Sequence, residues 1–115
     1  MDSKPSLRQQ KVSRLIQKEL GQFFQRERLA ICNGQFVTVT NVRITPDLSI
    51  AYIYLSIFPS EKAKSTLDYI KIQTKSIRFY LGNQVRTQLR IIPELEFFID
   101  DSLDYIEKID KLLKK

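Results

Sequence analysis

The apolar positions of this chain change their spacing several times, and each change marks an element. Val12, Leu15, Ile16, Leu20, Phe23 and Phe24 recur every three or four residues, which predicts a helix from about Ser6 to Arg28 with one buried face. Gly21 weakens its middle by roughly 1 kcal/mol relative to Ala. Asn33-Gly34 marks a turn. Phe36–Ile44 (FVTVTNVRI) then switches to β-branched residues and predicts a strand. Its alternation breaks in the middle: Val37 and Val39 share one phase, Val42 and Ile44 the other. An extra residue near Thr40-Asn41, a β-bulge, reconciles them. Thr45-Pro46-Asp47 turns the chain into a second strand, about Leu48 to Phe58. Ala51, Ile53, Leu55 and Ile57 point to one face of it, Tyr52, Tyr54 and Ser56 to the other. So many apolar residues make this strand central.

Pro59-Ser60 opens a helical region with two stripes, Ala63/Leu67/Ile70 and Ile77/Leu81/Val85/Leu89. They do not join, so a bend between two helices is placed at Gln73-Thr74-Lys75-Ser76, and Pro93 is expected to stop the second helix. A short strand, Leu95–Ile99, follows a long helical crossover and should lie parallel to its neighbour. Asp101-Ser102 reads as a cap for a last helix striped by Leu103, Ile106, Ile109 and Leu113 and ending in Lys111, Lys114 and Lys115. The order is α-β-β-α-α-β-α: an α+β fold with a three-stranded mixed sheet and helices on one face.

Composition bounds what such a fold can do. The 115 residues suit one domain, residues 1–115, and 43% hydrophobic with 28% charged is ordinary for a globular chain. No apolar run is long enough to span a membrane, and the polar start, Met1 to Pro5, is not a secretory signal. A cytoplasmic address is expected. There is no histidine and one cysteine, so zinc sites of the usual kinds and Ser–His–Asp chemistry are excluded. Cys32 reads as a small apolar filler near a turn rather than a thiol nucleophile lacking its base. Asp100, Asp101 and Asp104 could hold a hard cation, but at a strand–helix junction they read as capping residues. No glycine-rich phosphate loop exists among three glycines. An enzyme, a cofactor or a small-molecule substrate has no constellation behind it.

Charge is more telling. Nineteen Lys and Arg against thirteen Asp and Glu leave a net +6, and a basic domain of this size fits a polyanion. Arg8, Lys11, Arg14 and Lys18 form a cationic stripe on the first helix, with no acidic residue between Lys4 and Lys18. A solvated face normally mixes signs, so the stripe is a candidate phosphate contact. Lys71, Lys75, Arg78, Arg86 and Arg90 form a second cluster across the bend, where a helix start adds its own positive end. Arg90 could instead pack near the entrance to the last strand. The candidate phosphate contacts are therefore Arg8, Lys11, Arg14, Lys18, Lys71, Lys75, Arg78 and Arg86, with a plain solvated face as the alternative. Tyr52 and Tyr54 could stack bases or merely pack across strands, and one of Phe79 and Tyr80 must face away from the core. The competing reading is a protein-interaction module with incidental basic charge.

The stretch Leu89-Arg90, Pro93-Glu94-Leu95, the aromatic strand Phe97-Phe98, then Asp100-Asp101-Ser102-Leu103 resembles the C-terminal signature of the ribosome-binding factor A family. Ile77-Arg78 with Leu81-Gly82, Val37-Thr38-Val39, and Pro46-Asp47-Leu48-Ser49 with Ala51 resemble its upstream helix and its hairpin. The resemblance implies a type II KH-like fold. It implies a monomeric, non-catalytic RNA-binding factor that associates with the free small (30S) ribosomal subunit and its rRNA. It further implies a role late in ribosome biogenesis, in 16S rRNA 5′-end processing and in cold adaptation. Ordinary KH domains grip RNA with Gly-x-x-Gly, which is missing. The family's Ala-x-Gly kink is replaced here by Gln73-Thr74-Lys75-Ser76. Many members continue into a C-terminal tail, and with the last residue at Lys115 no tail function is expected.

Overall fold

A computed structural model describes residues 4–100. The first helix, α1 (Leu7–Arg26), begins where Ser6 and Gln9 satisfy each other: the Gln9 amide donates to the Ser6 hydroxyl (3.1 Å), and the Ser6 amide to Gln9 Oε1 (2.8 Å). This pairing satisfies donors that a helix start otherwise leaves to water. Val12, Ile16, Leu20, Phe23 and Phe24 are buried, as their spacing predicts. A four-residue helix, α2 (Arg28–Ile31), follows. Asn33 and Gly34 then take φ of 52° and 82°. That left-handed pair is why Asn-Gly stands at this turn.

Strands β1 (Phe36–Ile44) and β2 (Ile50–Phe58) pair antiparallel, and the register slips between Val39 and Asn41. Thr40 is the extra residue. The bulge turns both halves of β1 inward, so Val37, Val39, Val42 and Ile44 are all buried. β2 starts two residues later than its apolar content predicts, because Leu48 (φ 63°) belongs to the turn. Asp47 organises that turn, and hydrogen bonds from Ser49 and then Thr45 lower its pKa.

After a single 3₁₀ turn at Ser60–Lys62, helices α3 (Ala63–Ile72) and α4 (Thr74–Val85) lead to β3 (Glu94–Ile99), which runs parallel to β2. The sheet order is β1-β2-β3, with β2 central. The inner face of the sheet (Val39, Ile53, Leu55, Phe97) meets Ile16, Leu20 and Phe24 of α1, Ile70 of α3, and Ile77, Leu81 and Val85 of α4 in one core. Each such side chain contributes about 1.5–3 kcal/mol through burial. The outer face carries Tyr52, Tyr54 and Phe98, with Tyr54 stacked on Phe98 at 5.5 Å. Two glutamines fasten α1 to the edge of the sheet: Gln9 Nε2 donates to the Ile44 carbonyl (2.9 Å) and Gln17 Nε2 to that of Val39 (3.1 Å).

A further boundary differs from expectation. α4 ends at Val85, not at Pro93. Arg78 explains it: its Nε donates to the Pro93 carbonyl (2.8 Å) and its Nη2 to that of Ile92 (2.6 Å). A continuous helix would carry residue 92 about 20 Å from Arg78. The chain must therefore reverse first, and Leu89 and Ile92 pack on the core from the connection. The expected last helix, with its cap at Asp101-Ser102, lies outside the described residues.

Candidate nucleic-acid interface

Helix geometry sets the first surface. Arg8, Lys11, Arg14 and Lys18 are all exposed, opposite the buried stripe of α1. Steps of three or four residues put successive cations about 4.5–6 Å apart along the axis. None of the four makes a hydrogen bond or an ion pair with another described residue, so their charge is free for a ligand. Beside them, a groove of about 640 Å³ runs between α1 and the edge of β1. Lys4, Arg14 and Arg43 line it, with Gln10, Ser13 and Asn41 as polar neighbours. Arg43 was not singled out from the sequence, because one arginine in a strand carries no periodic signal. It is brought beside Arg14 only by the docking of α1 on β1.

The second surface is more mixed. Lys71, Lys75, Arg86 and Arg90 are exposed along α3, α4 and the connection. Arg78 is not free like them: the two backbone carbonyls hold it, and Glu94 lies 4.0 Å away. The packing role considered for Arg90 thus falls to Arg78. The bend forms at Gln73 without glycine. Gln73 Nε2 donates to the carbonyls of Ile31 and Tyr69 (2.9 Å each), and Thr74 Oγ1 to that of Lys71 (2.7 Å). Side-chain hydrogen bonds satisfy carbonyls at the break, and one of them ties it to α2.

The aromatic pair on α4 resolves cleanly. Tyr80 turns inward, stacks on Phe23 at 4.3 Å and accepts a hydrogen bond from Arg26 Nη2 (2.6 Å). Phe79 turns outward and is 72% exposed. Tyr52 and Tyr54 are half-buried against Phe98 rather than standing alone.

The chemistry set aside in the sequence is also placed. Cys32 is buried, its thiol 3.8 Å from the Phe24 carbonyl, and burial pushes its pKa up to about 11 against the pull of Arg28. It is a core residue, as its position by the turn implies. Asp100 accepts a hydrogen bond from Thr40, whereas Asp101 and Asp104 lie outside the described residues. Among the described residues no acidic or cysteine cluster could hold a metal, and no helix is long and apolar enough to cross a membrane.

Comparison with known proteins points to one family. The family model for ribosome-binding factor A matches residues 8–113. A ribosome-binding factor A of Flavobacterium johnsoniae is 52% identical over 107 residues, covering 92% of this chain and 82% of that one. That of Cytophaga hutchinsonii is 46% identical over 110 residues, covering 96% and 83%. The crystal structure of ribosome-binding factor A from Thermus thermophilus shares the fold, with a TM-score of 0.66 at 21% identity over 79% of this chain and 94% of that one. A homology model of the Thermus thermophilus factor, fitted into a cryo-EM map of a complex with the 30S subunit, superposes with a TM-score of 0.56 at 24% identity, over 76% and 93%.

Proposed function

The chain belongs to the ribosome-binding factor A family, and from that premise we propose that it binds the free small (30S) ribosomal subunit and assists its late maturation, including 16S rRNA 5′-end processing. The fold and the relatives support a KH-like domain; in this reading it is a single RNA-binding domain that acts as a cytoplasmic monomer, without cofactor or small-molecule substrate. The observation that carries the reading is the unpaired cationic stripe of α1. Arg8, Lys11, Arg14 and Lys18 contact rRNA phosphates, with Arg43 joining them across the groove and Lys71, Lys75 and Arg86 extending the contact over the bend. Arg78 supports the fold of that surface more than its charge. Phosphate contacts position a protein without reading bases, so the shape of a folded rRNA site supplies selectivity.

The test is binding to purified small subunits over a salt series. With about six of these eight cations each neutralising a phosphate, the log–log slope should be roughly −4 to −5. A slope near zero sinks the electrostatic account and favours the protein-docking module.

A further inference from the structure

α4 sets an aromatic ring among cations where the fold has no use for it. Phe79 is 72% exposed, while its neighbour Tyr80 supplies the contact with α1. Lys75, Phe79 and Arg86 fall within one narrow sector of the helix, opposite buried Ile77, Leu81 and Val85. Lys75 lies about 6 Å before Phe79 along the axis, and Arg86 about 10 Å after it. At the bend, Ile72 adds a second apolar side chain, 82% exposed. No acidic residue occurs between Asp68 and Glu94.

We propose that Phe79 stacks on an unpaired base of the bound RNA, with Lys75 and Arg86 holding the phosphates on either side of it. The inference rests on the RNA-binding reading and adds a non-electrostatic contact to it. A ring with no polar atom offers only its face, which every base can use. The charge around it selects the occupant. A protein's apolar patch has no need of flanking cations in a stretch free of acidic residues, whereas a nucleotide brings a phosphate on each side of its base. Ile72 widens the apolar floor beside the ring.

The test uses the full chain and purified small subunits in a salt series. Phe79→Ala should weaken binding by about 5- to 150-fold and leave the salt slope unchanged, since no charge is lost. Phe79→Leu should lose most of that affinity, and Phe79→Tyr should keep it. Thermal melts should match the unaltered chain, because the side chain is exposed. The chain has no tryptophan, so Phe79→Trp places a single reporter on α4. Its emission should be quenched on binding, after subtraction of the subunit signal, as stacking on a base requires. Affinity of Phe79→Ala within twofold of the unaltered chain, full affinity of Phe79→Leu, or a blue shift without quenching would each overturn the proposal. The double variant Lys11→Glu/Arg14→Glu separates the two readings. If it releases the subunit while Phe79→Ala does not, only the stacking contact fails. If it too binds normally, the RNA-binding reading fails and the stacking contact with it.

Discussion

The two basic surfaces of this protein look alike in sequence and differ in what their cations do. On α1, four charges stand free of every described partner, and the buried face behind them already holds the helix in place. On α4, one arginine of the cluster fixes two backbone carbonyls and the course of the chain into β3, while a phenylalanine occupies the solvent face. Spacing alone does not separate a charge available to a ligand from one the fold has taken. That depends on whether some distant carbonyl comes within reach.

The contrast can be broken most forcefully at α1. Replacing Arg8, Lys11, Arg14 and Lys18 together by alanine should reduce the magnitude of the salt slope for small-subunit binding by about 3. The melting temperature should hold, as judged by circular dichroism. A collapse of the fold would instead make the stripe structural. Arg78→Ala should do the opposite. Losing its hydrogen bonds to Ile92 and Pro93 should cost about 2–3 kcal/mol, read as a lower urea midpoint, with little change in slope. Arg78→Lys should not restore the loss, because an ammonium cannot reproduce the planar fork. Gln73→Ala tests whether the bend depends on side-chain ties. It should cost about 1–2 kcal/mol in the same urea titration, and an unchanged midpoint would show that packing alone sets the break. The smallest effects belong to Lys75→Ala and Arg86→Ala. Each should reduce the magnitude of the slope by under about 1 with stability intact, sharpening the difference from Arg78.

The strands, the bulge and the bend were legible because each follows from local pattern. The phase change between Val39 and Val42 demanded an extra residue, and Thr40 is that residue. The mismatch of the two helical stripes placed the break where Gln73 makes it. The C-terminal signature named the family. What stayed hidden depends on contacts between residues far apart in sequence. Leu89 continues the stripe of α4, so nothing local announces an end at Val85; the end follows from where Arg78 holds Ile92 and Pro93. The choice between Phe79 and Tyr80 needed the position of Phe23. Arg43 became part of the candidate surface only when α1 docked beside it.

The glutamine ties between α1 and β1 reach beyond folding. β1 borders the sheet, and an open border is a template on which another extended chain can zip. Gln9 and Gln17 occupy two of its outward carbonyls with side chains from the same molecule. An added strand would have to displace those two side chains before it could pair there. At Ile44 and Val39 that border is already taken within the molecule. The helix that presents the charge also caps part of the sheet's border.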